Sequence, residues 1–491
     1  MDPDRIRRLA RLLSCAGELS ALLRKSPQAP DLLTSEFLRR KKNFTASDRR
    51  LVSEAAFTAL RLASLAEDVR RLLFETPETA AGNGMSTSAL TVWCALAAAQ
   101  ELGIRPLSAA LQSESGEGSA VAIADAIAGI LAPGAPDSGR TERSFAAVRV
   151  MFEAVDAAVE APGCRGVEAS VFAAVARGSC MPDWLLEALA SGAEPPRGVR
   201  GAVRVSRALW SGATVGLRVN RTRMARDEVL AILLQRGFPV RASTFSPFGI
   251  VLEQRVSLTG EAVYADGAVE IQDIGSQLIA CALTPGRGQR ILDACAGAGG
   301  KTLHIADLQR DSGAVLAADI EPRRLRALLS RARRCGFTSI DTVHARTLLE
   351  ADGTHAPDLR GLFDAVLVDA PCSGLGTARR NPVIKWRLSE KTVARIALKQ
   401  RRILQDYAAF VKPGGTLVYA TCSLLPQENE DVARDFLATN TDFSPSPLSP
   451  AFAAYGIEVP DLSENAYHLT LSPDLHGTDG FFIARMKRRE M

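Results

Sequence analysis

Two cysteines in this chain stand where an apolar strand would end and a loop begin: Cys372, in VLVDAPCSG, and Cys422, in LVYATCS. Asp369 ends the first of those strands, and Asp319 ends another, AVLAADI. A further apolar strand, RILDAC, runs into a turn built on Gly297, Gly299 and Gly300, with a helix starting near Lys301. In a parallel α/β sheet ligands bind beyond the carboxyl ends of the strands. These thiols and carboxylates would therefore share one crevice.

The glycine turn narrows the ligand. Glycines let a backbone approach a bound molecule, and the helix after them offers free N–H groups. A phosphate-cradling loop needs GxxxxGK[ST], but Cys295 stands where its first glycine should be. The dinucleotide pattern GxGxxG fails as well, because Gly297-Ala298-Gly299 is followed by Gly300, Lys301 and Thr302. What remains is a cofactor with ribose and adenine but no pyrophosphate, and S-adenosylmethionine is the natural candidate. Asp319 lies about 20 residues past the turn, where an acid accepts hydrogen bonds from ribose hydroxyls. Its alternative reading is a helix N-cap before Pro322.

Beside a methyl-donor site, paired thiols acquire a purpose. A lone cysteine is usually a small inert hydrophobe, and Cys281 and Cys335 are read that way. Carbon 5 of a pyrimidine is too weak a nucleophile to take a methyl group until a thiolate adds to carbon 6. A base then removes the carbon 5 proton and the thiol is eliminated. Methylation of an amino group needs no such thiol, so Cys372 and Cys422 discriminate between the two reactions.

The elements that position these residues follow from periodicity. From Ala268 onward strands and helices alternate, which predicts a mostly parallel sheet covered on both faces. Candidate strands are RILDAC, AVLAADI, FDAVLVDA and GTLVYATCS, with GFFIARMKR closing the sheet. Helices are expected at Pro322–Cys335, Glu390–Val411 and Gln427–Ala438. Upstream, ATVGLRVNRTRM, RDEVLAILLQRG and FGIVLEQRV read as strand, helix and strand of a small α+β unit. Residues 1–190 read as helices joined by small-residue loops, among them AGNGMSTS (81–88), SESGEGS (113–119) and APGAPDSGRTE (132–142). TASD (45–48) offers N-cap candidates. The expected organisation is multidomain: an all-α domain at 1–190, a small α+β domain at 191–265, and a Rossmann-like domain at 266–491.

At 491 residues the chain exceeds a single typical core. Hydrophobic content of 47% with 23% charged residues fits a soluble globular protein. The opening MDPDRIRRLARLL is too often interrupted by charge for a signal peptide. No apolar run approaches the ~20 residues of a membrane span, so a cytoplasmic protein is expected. Nine scattered cysteines without CxxC argue for reduced thiols and against zinc, and no metal is expected. The net charge is only +4, but basic residues cluster at 39–42, 49–50, 379–380, 399–402 and 487–489. Such clusters fit an anionic partner such as RNA, although any one can be a solvated face.

Taken together, DACAGAGGKT, VLVDAPCSGLGTARRNPVIKW, YATCSLLPQENE and HGTDGFF resemble the motifs of the RsmB/Sun (Fmu) family of RNA 5-methylcytosine methyltransferases. VNRTR and IQDIGSQ extend the resemblance upstream, so it covers about 180–491. It implies a class I methyltransferase fold, S-adenosylmethionine as cofactor and RNA as partner, in particular ribosomal RNA of the small subunit; a monomer is expected. It also implies that residues 1–180 correspond to a NusB-like helical domain. By position Cys422 matches the nucleophile, Cys372 the cysteine that helps release product, and Asp369 the acid at the base and methionine end of the pocket. Asp319 matches the ribose-binding acid, and Cys295, Ala296, Gly297, Ala298, Gly299, Gly300 and Lys301 match the cofactor loop. Three positions depart from the pattern. Ala298 replaces a proline, Val383 replaces an aspartate in NPDIKW, and Ala345 stands about where an acid would contact adenine. A transfer RNA substrate is the runner-up within the class. A non-catalytic RNA-binding assembly factor and a DNA methyltransferase are the other readings; in the DNA enzymes the nucleophile sits in the proline-cysteine motif.

Overall fold

The computed structural model describes residues 3–61, 180–191, 197–349 and 359–490, apart from 27, 254, 255, 259 and 461. The three small-residue loops expected between 81 and 142 lie outside the described residues. Those described fall into two compact units, residues 1–212 with 378–388, and residues 213–377 with 389–491.

The first unit is helical. Helices α1 (Pro3–Lys25), α2 (Pro30–Arg40) and α3 (Ala46–Arg61) are followed, beyond the residues not described, by α4 (Asp183–Ser191) and α5 (Gly198–Ala208). Helix α1 buries Leu12, Ala16, Leu19 and Leu23, a helical spacing that makes one apolar stripe. Helix α3 starts where TASD suggests: the Asp48 N–H donates to the Thr45 hydroxyl, and the Asp48 carboxylate accepts from the Thr45 N–H. That is a reciprocal cap for two otherwise unpaired donors.

Residues 378–388 belong to this unit, and charge alone misleads about them. Arg379 is buried and Arg380 only partly so, and Arg379 does not present its charge to an anionic partner. The segment instead serves main-chain carbonyls of this unit. The Lys385 ammonium donates to the carbonyls of Arg61 and Cys180 at 2.6 and 2.7 Å, and the Trp386 indole N–H donates to Leu60. Arg387 donates to the Leu23 carbonyl near the end of α1. Buried main-chain carbonyls need donors, and near the end of α1 the carbonyls also carry the negative end of the helix dipole, so cations and N–H donors suit them. Val383 is fully buried here, where an aspartate would bring a charge.

The second unit carries two sheets. The smaller has strands β1 (Val215–Val219), β2 (Val240–Ala242), β3 (Gly249–Leu252) and β4 (Val269–Ile271) in the antiparallel order β2-β3-β1-β4. Helix α6 (Arg226–Gln235) covers it with Val229 and Leu233. Strand β4 lies beyond the boundary expected at 265, because Val269 and Glu270 are buried in pairing with β1.

The larger sheet follows after helix α7 (Ile274–Ala282). Its strands are β5 (Arg290–Asp293), β6 (Ala314–Asp319), β7 (Ile340–His344), β8 (Phe363–Asp369), β9 (Val411–Thr421), β10 (Phe443–Pro445), β11 (His468–Leu471) and β12 (Phe481–Arg488). The order is β10-β12-β9-β8-β5-β6-β7, with β11 paired to β12. Strands β7, β6, β5, β8 and β9 are parallel; β12 enters antiparallel beside β9. Alternate strand residues face opposite cores. Ile291, Ala317, Leu367 and Val418 join one with α8 (Gly300–Leu308) and α9 (Pro322–Cys335). Leu292, Ala318, Val366 and Leu417 join the other with α10 (Glu390–Ala408) and α11 (Glu430–Thr439). This is the doubly wound arrangement, with its switch point between β5 and β8.

Helix α9 shows how locally the pattern is written. Leu325, Leu328, Ala332 and Cys335 are buried while Arg323, Arg326 and Arg333 face solvent. Helix α11 begins three residues later than expected at Gln427, because a short turn carries Glu428 and Asn429 inward. The VNRTR stretch and Glu270, just before IQDIGSQ, fasten the small sheet to the large one. The Asn220 side chain donates to Gly267 and Cys335, the Arg221 N–H donates to Asp307, and buried Glu270 pairs with Arg331 and Arg334.

Candidate active site

The carboxyl ends of β5, β6, β8 and β9 open into one cavity of about 900 Å³. That is a volume suited to a cofactor. Residues 293–298, 300 and 301 form its floor, and Asp319, Asp369, Cys372 and Cys422 line it with Ile320, Leu349, Ile403 and Tyr407.

The turn after β5 is shaped by one glycine in particular. Gly299 has φ +90°, and a Cβ there would come within 2.5 Å of Leu328. The turn is pinned to the neighbouring strand end: the Gly297 N–H donates to Asp319 at 2.9 Å. The other Asp319 oxygen accepts the Glu321 N–H at 2.7 Å, at the entry to α9. Asp319 thus fixes the chain just before α9, which has no side-chain cap, and still lines the cavity.

Lys301, one residue into α8, meets Asp369 at the end of β8, with Nζ 2.7 Å from the carboxylate. Burial alone would lower the Lys301 ammonium, but Asp369 outweighs it and holds the group above its ordinary value. Cys295 lines the same floor, and burial, followed by the charge of Asp369, pushes its thiol up. It is a wall, not a nucleophile.

Asp293, absent from the residues singled out in the sequence, lies in the cavity floor. One of its oxygens accepts the Thr302 hydroxyl at 2.6 Å; the other is buried without a hydrogen-bond partner. Burial, reinforced by Asp369 and Asp319, pushes its carboxyl up to about 7. The sequence does carry a signal for it, since a carboxylate inside an apolar strand must find a partner.

At the end of β7 an alanine, Ala345, stands where an acid is expected. Ala345 lines the cavity, and His344 beside it supplies the local hydrogen bonds, accepting the Arg346 N–H and approaching the Ile320 carbonyl at 3.1 Å.

The two cysteines meet. Strands β8 and β9 run parallel with Asp369 opposite Ala420, which brings the following loops side by side. Cys372 Sγ lies 3.2 Å from Cys422 Sγ. That hydrogen bond, and then burial, push the Cys372 thiol well above its ordinary value. Either sulfur can donate in this contact, and the two thiols share it at the cavity wall.

S-adenosylmethionine fits these residues. The orphaned Asp293 oxygen suits an ammonium, Asp319 suits a ribose diol, and Ile320, Leu349, Ile403 and Tyr407 provide an apolar wall for a purine.

Comparison with known proteins agrees with this geometry. Residues 280–487 match the family described as 16S rRNA methyltransferase RsmB/F, and residues 181–259 match its ferredoxin-like domain. A Bacillus subtilis protein named as a probable ribosomal RNA small subunit methyltransferase B is 34% identical over 310 residues, covering 63% of this chain and 66% of that one. A Salmonella paratyphi A ribosomal RNA small subunit methyltransferase B is 39% identical over 228 residues, covering 46% and 51%. The matched stretch thus spans between half and just under two thirds of these relatives. The solved structure of a methyltransferase homologue from Pyrococcus horikoshii is 27% identical, with a TM-score of 0.53, covering 66% of this chain and 100% of that one. Through residues 181–259 and 280–487, more than half its length, this chain belongs to the RsmB/F methyltransferase family.

Proposed function

We propose that this chain is a cytoplasmic, S-adenosylmethionine-dependent methyltransferase acting on carbon 5 of a cytosine in RNA, with small-subunit ribosomal RNA as substrate. The observation that carries this reading is the pair of thiols, 3.2 Å apart, on the wall of the cavity that holds the Lys301–Asp369 ion pair.

Cys422 is the nucleophile. Its sulfur bonds to carbon 6 of the ring, which makes carbon 5 electron-rich. Cys372, whose thiol is pushed up, lies 3.2 Å from the Cys422 sulfur, within reach to donate a hydrogen bond when that sulfur acts as the nucleophile. The Lys301 ammonium adds positive charge on the same wall, held in place by Asp369. When bound, S-adenosylmethionine supplies an electrophilic methyl group. After carbon 5 is methylated a base removes its proton, Cys422 leaves carbon 6, and Cys372 assists that release. Asp319 holds the ribose, the 295–301 loop cradles the cofactor, and Asp293 takes its ammonium.

In this reading residues 1–190 are a NusB-like RNA-docking domain, 191–265 a linking α+β domain and 266–491 the catalytic domain, in a monomer. The RNA-binding role has support in exposed Arg39, Arg40 and Lys42 at the end of α2. Bisulfite sequencing of total RNA from cells with and without the gene tests the proposal. One ribosomal cytosine losing its protection in the deletion is expected. A site in transfer RNA would reassign the substrate, and no changed cytosine would overturn the reading.

A further inference from the structure

Each active-site cysteine is followed by a serine, and the two serines converge on one buried acid. The Ser373 N–H donates to Glu428 Oε1 at 2.7 Å, and the Ser423 hydroxyl donates to Glu428 Oε2 at 2.6 Å. The two hydroxyl oxygens lie 3.1 Å apart. Glu428 is fully buried. A carboxylate taken out of water is costly unless several donors satisfy it. Gln400 supplies a third donor at 3.2 Å and ties the cluster to the Pro371 carbonyl at 3.0 Å.

The turn that carries the acid is itself fixed. The Tyr419 hydroxyl donates to the Glu428 carbonyl at 2.6 Å. Buried Asn429 accepts the Thr421 hydroxyl at 2.6 Å and donates to the Ser423 carbonyl at 3.1 Å. Glu428 and Asn429 together therefore grip the residues on either side of Cys422, while Glu428 also reaches the residue after Cys372.

We propose that Glu428 is a positioning residue for the two thiols, clamping the loops after β8 and β9 through Ser373 and Ser423 so that Cys372 Sγ stays against Cys422 Sγ. The idea rests on the covalent reading above only for its purpose. The clamp is a statement about geometry and is tested apart from methyl transfer. Its negative charge also lies behind Cys372 and adds to the forces keeping that thiol protonated.

The test uses the full chain without RNA and the thiol oxidant diamide. Diamide takes up two hydrogens as Cys372 and Cys422 lose theirs and form one S–S bond. Peptide mass mapping follows the Cys372–Cys422 pair, and methyl transfer is measured in parallel. Wild type should close this bond rapidly, and Glu428→Ala at least tenfold more slowly, with kcat reduced at least tenfold and KM within twofold. Glu428→Gln keeps one oxygen for Ser373 and an amide for Ser423, so it should recover most of the closure rate while shifting the pH at which closure begins downward. A folded Glu428→Ala that closes at the wild-type rate would overturn the clamp, as would a Glu428→Gln no better than Ala. Should Glu428→Ala fail to fold, Ser423→Ala gives the same reading, slowed closure supporting the clamp and unchanged closure refuting it. If the wild type transfers no methyl group to any RNA, the functional reading falls, and the closure rates still decide the clamp.

Discussion

Cys372 and Cys422 are 50 residues apart in the chain, and their sulfurs are 3.2 Å apart. Parallel pairing of β8 with β9 produces this, since strands in register end side by side and hand their loops to the same crevice. Neither cysteine is a passive core residue, because both line the cavity. The pair shares a hydrogen bond, and the remaining features of the cavity can be tested around it.

Asp319 is expected to hold the ribose while pinning Gly297. Asp319→Ala should weaken S-adenosylmethionine binding by about 1–3 kcal/mol, the range for a charge-assisted hydrogen bond removed from a buried site. Calorimetric titration measures this directly. Unchanged affinity in a folded variant would remove Asp319 from the cofactor site.

Asp293 gives a pH signature. Its carboxyl titrates near 7 in the folded chain, against 3.8 for an ordinary aspartate. Between those values the folded state binds the extra proton, so this group's contribution to stability falls as pH rises from 4 to 7. Cofactor affinity should move the other way. An ammonium prefers the ionised carboxylate, and binding should tighten as pH climbs from 6 to 7.5. In Asp293→Asn the affinity should be weaker and nearly flat over that range; an unchanged pH dependence would place the ammonium elsewhere.

Much of this site is legible in the residues alone. Strand β8 is buried on both faces, and its apolar run VLVDA announces a central strand. Strand β7 is a short, half-exposed edge, and IDTVH carries no such signal. Helix α9 has the bounds that Pro322 and Gly336 suggest, because both terminal signals are local. Glu428 reads in sequence as one more acid at a helix start. Its role depends on Ser373, brought to it by strand pairing that no local pattern encodes. Arg379 misleads for the opposite reason. A basic pair reads as a solvated face, and only the packing of 378–388 into the helical unit buries it.

Lys385 tests that packing. Lys385→Met leaves the Arg61 and Cys180 carbonyls without their donor and should cost about 1–3 kcal/mol in urea unfolding. Burial lowers the Lys385 ammonium to about 8, from 10.5. Between pH 8 and 10.5 the unfolded chain holds the extra proton, so this group's contribution makes stability rise with pH there. The methionine variant should lose that rise. Equal stability of the two proteins at pH 7 would contradict a role for these two hydrogen bonds.

The helical unit should dock RNA through the end of α2. Arg39, Arg40 and Lys42 are exposed, while Lys41 pairs with Glu18 at 3.3 Å. Replacing all four by alanine should make the log–log salt dependence of RNA binding shallower by roughly 0.7–0.9 for each phosphate no longer neutralised. A slope that does not move would leave this face without a role in binding.

The central claim is that the two thiols act in sequence, and trapping the covalent adduct addresses it most directly. Each variant is incubated with S-adenosylmethionine and the RNA identified by bisulfite sequencing, then run on a denaturing gel. Cys422→Ala should show no turnover and no RNA-linked band, because no thiolate reaches carbon 6. Cys372→Ala should still attack, then stall on methylated product, since slowing the elimination by about 100-fold or more lets the adduct accumulate. A shifted band for Cys372→Ala and none for Cys422→Ala is the predicted result. The reverse pattern would make Cys372 the nucleophile, and intact activity without a band in either variant would contradict covalent catalysis by these thiols.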